Sequence, residues 1–253
     1  MLTFIMVAML SVGFVSCGSD DDDGNNNSTD AVTSAKVGEI YYSDGTCSNV
    51  LVSGKKPIGI VVYVGNDAVS ENMHGLVMAL NNSGKEEMYY TNYGYNNYTA
   101  TTIEEALSDM KGFDKTKALA AKKSHAAVSA VDYNVPAPSG TTGWFIPSIG
   151  QWIAVANNFG ANITKDSEIK MFTGGSHVLS GINNTLSKVG IIGTDYTPLS
   201  SKTGSGQEGY FWSSSFSRKW TVWDIVFNEK SGVYVSDNCP ETSALYIRPF
   251  LAF

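Results

Sequence analysis

The sequence predicts an α+β domain with mixed or antiparallel sheets and two to three helices. Runs with strand character fall into an early group within residues 36–80 and a late group after residue 210. Segments with helical spacing lie between these groups, whereas a parallel α/β sheet would alternate strands with helices. The chain has 253 residues, of which 43% are apolar, so it is long enough to bury a sizeable core.

The early group contains three predicted strands. The first begins at residue 36 and turns at Asp44-Gly45, where the glycine tolerates a positive φ. Residues 57–65, PIGIVVYVG, are almost continuously apolar, which predicts a central strand buried on both faces. We expect residues 75–80 to pair with it. The Tyr- and Asn-rich segment 86–102 has no usable period and predicts a long loop.

Three helices are predicted between the strand groups. Apolar residues recur with helical spacing over residues 114–133, which predicts one amphipathic helix packed on the sheet. A second helix begins at Ser148, because Ser148 and Gln151 have the spacing of a capping box, and Trp152 then faces the core. A third helix is predicted over residues 177–186.

The late group follows a predicted loop at residues 204–209. Strand character appears in residues 220–227, 232–236 and 244–250. The segment Leu251-Ala252-Phe253 is expected to be a buried closing strand, because three such residues would otherwise lie in water.

The charge distribution argues against a nucleic-acid partner. The net charge is −7, but five of the 24 acidic residues and one of the 17 basic residues lie within positions 1–36. The remainder is therefore near neutral, with 19 acids against 16 bases. Lys122-Lys123 and Arg218-Lys219 are pairs and not basic patches, so we expect no nucleic-acid surface.

The first residues predict export and lipidation. Residues 1–16 are uncharged and largely apolar, too short to span a bilayer but typical of a signal peptide. The run Phe14-Val15-Ser16-Cys17 resembles a lipobox, which implies a lipid on Cys17. The acidic run Asp20–Asp23 resembles the tether of some surface lipoproteins of Gram-negative gut anaerobes. We expect a flexible tether over 17–36 and an outer-membrane, cell-surface location, held to the membrane through the N-terminal lipid.

The cysteines and histidines predict no metal site and no cofactor. With Cys17 lipidated, Cys47 and Cys239 either form a disulfide or remain two separate thiols. The three histidines are scattered, and the sequence contains neither HExxH nor CxxC.

Aromatic motifs in the second half resemble a known family. They are Gly143–Ser148 with Gln151-Trp152, Tyr210–Ser215, Trp223 and Ile247–Phe253. They resemble bacterial surface domains with a C-type-lectin-like fold, related to the major paralogous and formylglycine-generating-enzyme-like domains. The last forty residues are similar to variable regions targeted by diversity-generating retroelements, in which solvent-facing positions are rewritten. The resemblance implies a C-type-lectin-like domain over 37–253 with a ligand-binding region at 210–253.

Period-2 alternation divides the late strands into two faces. The residues predicted to point inward are Trp223, Ile225, Phe227, Val233 and Val235. With the resemblance, the candidate ligand-binding residues are Phe216, Arg218, Trp220, Thr221, Asp224, Val226, Asn228, Tyr234, Ser236 and Asn238. The alternative is that Phe216 and Trp220 are core residues and Arg218 is a solvated charge.

We expect no enzyme activity, because no catalytic set is recognisable. The run Gly174-Gly175-Ser176-His177 lacks the lysine of a phosphate-binding loop. Ser213–Ser215 lack a G-x-S-x-G frame, and we expect their hydroxyls to donate to the backbone. The pairs Glu86-Glu87 and Glu104-Glu105 are expected to face solvent.

Two functions remain open. The first is a lipid-anchored binding or adhesion protein that presents a C-terminal face, diversified in the family it resembles, to a protein or glycan ligand. The second is a structural subunit or tip component of a surface assembly such as a fimbria. In both, the C-terminal face is the functional surface.

Overall fold

Two five-stranded sheets and five α-helices make up the described part of the chain. They are seen in a computed structural model, which describes residues 35–66, 69, 73–89, 100–172 and 176–253. The predicted signal peptide, most of the tether and Cys17 lie outside these residues. The predicted α+β class with mixed and antiparallel sheets is confirmed, whereas the C-type-lectin-like assignment stays a prediction.

The first sheet is antiparallel and has β3 at its centre. Its strands are β1 (Ile40–Tyr42), β2 (Cys47–Ser48), β3 (Pro57–Val64), β4 (Gly75–Ala79) and β10 (Phe250–Ala252), in the spatial order β10-β4-β3-β1-β2. The predicted pairing of the second and third early strands is confirmed, since Ile60 lies opposite Met78. The predicted turn at Asp44-Gly45 also forms, with Gly45 at a φ of 84°.

The second sheet is mixed. Its strands are β5 (Gly84–Glu87), β6 (Tyr210–Arg218), β7 (Thr221–Asn228), β8 (Gly232–Pro240) and β9 (Ala244–Ile247), in the order β5-β9-β6-β7-β8. Only the pair of β6 and β9 is parallel among these strands. Strand β5 includes residues 86 and 87, the first two of the segment 86–102 that is predicted to be a loop. That prediction was wrong here because β5 is a polar edge strand, Gly-Lys-Glu-Glu, without an apolar period.

The C-terminal run predicted as one strand is divided between the sheets. Strand β9 lies in the second sheet and β10 in the first, so the chain crosses at Arg248 and Pro249. Arg248 is fully buried, and its guanidinium donates to the carbonyls of Ala79 (3.0 Å), Leu80 (2.6 Å) and Thr197 (2.6 Å). Burial lowers the pKa of Arg248 to about 9. Arg248 thereby fixes the crossing, and the predicted buried closing strand is confirmed by β10.

The helices lie between the two strand groups in sequence. They are α1 (Ile103–Leu107), α2 (Gly112–Ala121), α3 (His125–Val131), α4 (Ile149–Asn158) and α5 (His177–Ser187), followed by a 3-10 helix (Lys188–Ile192). The prediction of a single helix over 114–133 was wrong. The chain breaks at Lys123, whose φ is +66°, and the Ser124 hydroxyl then accepts the Ala127 N–H to begin α3.

Helix α4 joins both sheets through Trp152. As predicted, the Gln151 side chain accepts the Ser148 N–H at 2.8 Å at the start of the helix. The Trp152 ring centroid lies 4.8 Å from that of Phe250 in the first sheet. It also lies 5.9 Å from those of Phe211 and Phe227 in the second. The indole N–H donates to the Trp212 carbonyl at 3.0 Å, so this buried donor is satisfied.

Three apolar clusters fill the spaces around the sheets. The main core contains one face of each sheet together with α4 and α5, and the predicted inward residues Trp223, Ile225, Phe227, Val233 and Val235 are confirmed within it. A second cluster lies on the opposite face of the second sheet, against α2 and α3. A third lies on the opposite face of the first sheet, around Trp144.

Cys239 and Cys47 do not form a disulfide. Cys239 carries a free thiol on β8, and Cys47 is buried on β2 in the third cluster. Of the two alternatives left open by the sequence, the bridge between these two cysteines is therefore wrong.

Replacing Trp152 is expected to lower the free energy of unfolding. Trp152→Ala removes the only side chain that contacts Phe211, Phe227 and Phe250 together among the described ring contacts, and should cost about 3–5 kcal/mol. Urea denaturation followed by far-UV circular dichroism measures this. The exposed Trp220→Ala variant is the control, with a much smaller change, and equal losses in both would contradict the role of Trp152.

Candidate functional site

A pocket of about 380 Å³ opens over the second sheet. Strands β6, β7, β8 and β9, the 170 region, the 205–207 loop and the turn after β8 supply its lining, which includes Lys170, Tyr210, Asp224, Tyr234, Ser236, Asn238 and Cys239. We call it the Asp224 pocket. Four of the ten predicted ligand-binding residues, Asp224, Tyr234, Ser236 and Asn238, lie in it.

The alternation of β7 and β8 explains why polar residues line this pocket. Trp223 and Ile225 point into the main core, so Asp224 between them points to the other face. Helices α2 and α3 cover the β5, β9 and β6 side of that face. The pocket lies on the same face over β7 and β8, where Asp224 is paired in register with Ser236.

Asp224 is a buried carboxylate without a well-formed hydrogen bond. The residue is 1% exposed, and neither carboxylate oxygen has a hydrogen bond of good geometry among the described residues, although the Ser236 hydroxyl lies close enough to favour the charged form. Burial raises the pKa of Asp224 to about 7, against smaller lowering effects of the Ser236 hydroxyl and the Lys170 ammonium. A polar group buried in this way destabilises the fold, which marks Asp224 as a candidate for function.

Two tyrosines form a fixed aromatic wall. The hydroxyls of Tyr210 and Tyr234 lie 3.2 Å apart, and the Lys202 ammonium donates to the Tyr234 hydroxyl at 3.2 Å. The same ammonium lies 5.2 Å from the ring centroid of Tyr210 and 5.5 Å from that of Tyr234. Phe172 packs edge-on against Tyr234, with ring centroids 4.7 Å apart. These contacts hold both rings in place.

Ion pairs surround Asp237, next to the pocket. Arg218 donates to one of its carboxylate oxygens at 2.6 Å, and the Lys170 ammonium lies 3.8 Å from the other. Lys170 itself has a φ of +66°, and its backbone N–H donates to the Val235 carbonyl on β8. The Lys170 side chain therefore reaches the pocket from a loop that the sequence did not connect with this sheet.

The remaining predicted residues lie elsewhere. Phe216 and Val226 are fully buried, so they do not face solvent; Phe216 belongs to the cluster beneath α2 and α3. Asn228 accepts the N–H groups of Lys230 and Ser231 and thereby closes the turn from β7 to β8. Arg218 and Trp220 are exposed, and the Thr221 hydroxyl pairs with that of Ser217.

Trp220 lies at the tip of the hairpin between β6 and β7. It is 38% exposed, so the alternative that places it in the core is wrong, and its φ is +73°, a region that disfavours a bulky side chain. Its carbonyl accepts the Glu241 N–H, and the Lys219 ammonium lies 5.1 Å from its ring. The hairpin tip therefore presents a strained aromatic residue beside a cation.

The serines of β6 have structural partners. Ser213 donates to the Trp223 carbonyl at 2.6 Å, which confirms the expected backbone bond. Ser215 instead donates to the Asp109 carboxylate at 2.5 Å and accepts the Ile149 N–H at 3.0 Å. Asp109 also forms a buried ion pair with Lys115. These bonds tie β6 to α2 and to the start of α4.

Two further features of the described residues bear on chemistry. Burial raises the pKa of the Cys239 thiol to about 12, which keeps it protonated at neutral pH. Among the residues that the structure describes, no cluster of three or more His, Cys, Asp or Glu side chains is placed to hold a metal ion. No helix in the same part of the chain has the length and apolar character needed to cross a membrane.

Comparison with known proteins gives a match to a solved structure. No protein family matches the sequence, and no curated protein matches it. A fimbrial protein from Bacteroides ovatus superposes on 87% of this chain with a TM-score of 0.58 and 21% sequence identity. This chain spans about half of that protein, 49% of its length. At this identity the likeness shows a shared fold.

Asp224→Asn is expected to stabilise the protein above neutral pH. Between about pH 4 and pH 7 the unfolded chain ionises Asp224 while the folded chain keeps it protonated, so stability falls as the pH rises. The gain in unfolding free energy should be roughly 4 kcal/mol at pH 8 and less than half of that at pH 5. Urea denaturation at both pH values measures it.

The exposed Asp166 provides the matched control for this measurement. Asp166→Asn makes the same chemical change at a side chain that is 78% exposed, and should leave stability nearly unchanged. A lower stability of Asp224→Asn at pH 8 would show that the carboxylate is held favourably in the free protein.

Trp220→Gly is expected to be more stable than Trp220→Ala. Both variants lose the ring, but glycine adopts the observed φ of +73° without a Cβ clash, a difference of about 1 kcal/mol. Thermal unfolding of the two variants compares them directly. Equal or higher stability of the alanine variant would mean that the hairpin tip relaxes to another conformation.

Proposed function

We propose that this chain is a structural subunit or tip component of a surface assembly such as a fimbria. The observation that carries the proposal is the fold shared with a fimbrial protein over 87% of the chain. The likeness covers about half of that protein, so the proposal concerns the shared portion. The proposed role needs no catalysis, which agrees with the absence of a recognisable catalytic set in the sequence.

We further propose that the protein is held at the cell surface by a lipid on Cys17. The apolar run of residues 1–16 and the lipobox-like sequence before Cys17 support this. The acidic residues Asp20–Asp23 support it as well, because they resemble the acidic tether of some surface lipoproteins. An outer-membrane location with the domain displayed outward follows from these features.

A second function, ligand binding or adhesion, is favoured by the Asp224 pocket. A concave site with a few converging polar groups and a carboxyl of perturbed pKa is the usual form of a binding site. The two functions are compatible, because a subunit of an assembly can also carry a ligand pocket. The partner in this role is a protein or glycan ligand at the cell surface.

Diversification by a retroelement is proposed on sequence resemblance alone. Within the late strands, buried Phe216 and Val226 would have to stay constant, which leaves the exposed and pocket-lining positions to vary. A near-copy of the codons for 210–253 beside a reverse-transcriptase gene would support the proposal. The absence of both would remove it.

Shearing of intact cells tests the assembly. If the chain is an assembly component, the sheared material should contain it in high-mass filaments, and protease added to intact cells should remove it. Cys17→Ser should remove the protein from the protease-accessible fraction on intact cells, because the lipid attachment at the surface is lost. Immunoblots of the sheared, cell-bound and medium fractions measure these outcomes.

Cys239→Ser is the matched control, since it removes a thiol that is not part of the lipobox. It should leave the protein attached to cells. Recovery of the wild-type protein only as a monomer after shearing would contradict the assembly role, and unchanged attachment of Cys17→Ser would contradict the lipid anchor.

A further inference from the structure

The most exposed large apolar side chain in the described part of the chain is Ile191. It is 81% exposed, and its neighbour Ile192 is 50% exposed. Both lie in the 3-10 helix that follows α5, which ends where Gly193 adopts a φ of +73° and donates its N–H to the Gly190 carbonyl. Two adjacent isoleucines at an exposed turn are unfavourable in water and are stabilised when another apolar surface covers them. We call Ile191 and Ile192 the isoleucine tip.

The isoleucine tip lies on the side of the domain where the N-terminal chain enters. In a 3-10 helix the side chains at i and i+3 lie one above the other, so Ile191 lies above Lys188. The Lys188 ammonium donates to the Gly38 carbonyl at 3.2 Å, and Val37 next to Gly38 is itself 38% exposed. The tip and Val37 therefore lie near each other, close to Ala35, where the described chain begins.

The length of chain before Ala35 limits which side of the domain can meet the membrane. Residues 18–34 separate Ala35 from Cys17, the residue proposed to carry a lipid. Even fully extended, these residues reach at most about 60 Å, little more than the width of about 45 Å expected for a domain of this length. The side that holds Ala35 therefore meets an anchoring membrane far more often than the opposite side, and the isoleucine tip shares that side.

The charges around the tip favour neither an anionic nor a cationic surface. The charged side chains on the two segments that meet here are Lys36 and Lys188 against Glu39 and Asp195, so they carry no net charge. Attraction to anionic headgroups therefore contributes little. A contact made by this surface depends on the burial of the isoleucines in an apolar layer.

We propose that the isoleucine tip inserts into the interfacial region of the membrane that holds the Cys17 lipid, and so fixes which side of the domain faces the membrane. The inference rests on the proposed lipid anchor and adds a second contact to it. Two isoleucines make a weak contact alone. The anchor makes that contact intramolecular and thereby raises the effective concentration of membrane at the tip.

Quenching of tryptophan fluorescence by lipids brominated in their acyl chains tests the contact. The full chain with its lipid is reconstituted in phosphatidylcholine liposomes as wild type, Ile191→Trp and Met171→Trp. Four of the five native tryptophans are buried, so subtraction of the wild-type spectrum isolates the emission that each substitution adds. The emission added by Ile191→Trp should be blue-shifted and quenched several-fold more strongly than that added by Met171→Trp. Added phosphatidylglycerol should leave this quenching unchanged.

Met171→Trp is the matched control for the affinity of indole itself for membranes. Met171 is 56% exposed, so it offers a second exposed apolar position for the same ring. Met171 precedes α5 and the isoleucine tip follows it, and a helix of 11 residues is about 16 Å long, so the helix separates the two positions. Equal quenching at both positions would overturn the proposal.

Flotation of the wild-type chain with the liposomes separates failure of the tip contact from failure of the lipid anchor. If the chain floats and the emission of Ile191→Trp remains that of an indole in water, the tip contact is overturned and the anchor stands. A blue shift without quenching that grows with protein density would overturn the membrane as occupant, because a second copy then covers the tip. A wild-type chain that does not float would overturn both the anchor and the contact.

Discussion

The packing of Trp152 between the two sheets is the contact on which the rest of the structure depends. Its ring meets Phe250 of the first sheet and Phe211 and Phe227 of the second, and its N–H is bound by the Trp212 carbonyl. Neither sheet has a core of its own on this side, because the main apolar cluster contains one face of each. The indole therefore sets the spacing of the sheets and the direction in which β7 presents its other face.

The candidate site is a consequence of this arrangement. Because Trp223 and Ile225 point into the main core, Asp224 must point to the opposite face of the sheet. Helices α2 and α3 cover the β5, β9 and β6 side of that face, and the pocket lies over β7 and β8. A buried carboxylate there costs stability, which the packing of the core on the other side of the sheet has to offset. Stability given up at one residue in this way is characteristic of sites that act on a ligand.

The sequence was informative where side chains alternate and silent where distant segments meet. Period 2 correctly placed Trp223 and Asp224 on opposite faces, but it could not show that α2 and α3 bury Phe216. Lys170 was missed because a loop brings it to β8 through backbone contacts that leave no pattern. Tyr210, in contrast, alternates with the buried Phe211, and the same period could have placed it beside Asp224. The division of the last strand at Arg248 also has no apolar signature, since both halves are apolar.

The crossing at Arg248 also governs the order in which the fold can be completed. Arg248 bonds to the Ala79 carbonyl, 169 residues earlier in the chain, and β10 pairs directly with β4. During synthesis β4 is made long before β10, so its apolar edge has no partner in the first sheet except β3 until the second sheet is nearly finished. Such distant pairing slows folding and leaves an exposed strand edge in the meantime. The first sheet is thus completed only after the strands of the second have been synthesised, and the edge of β4 stays open until residues 250–252 pair with it.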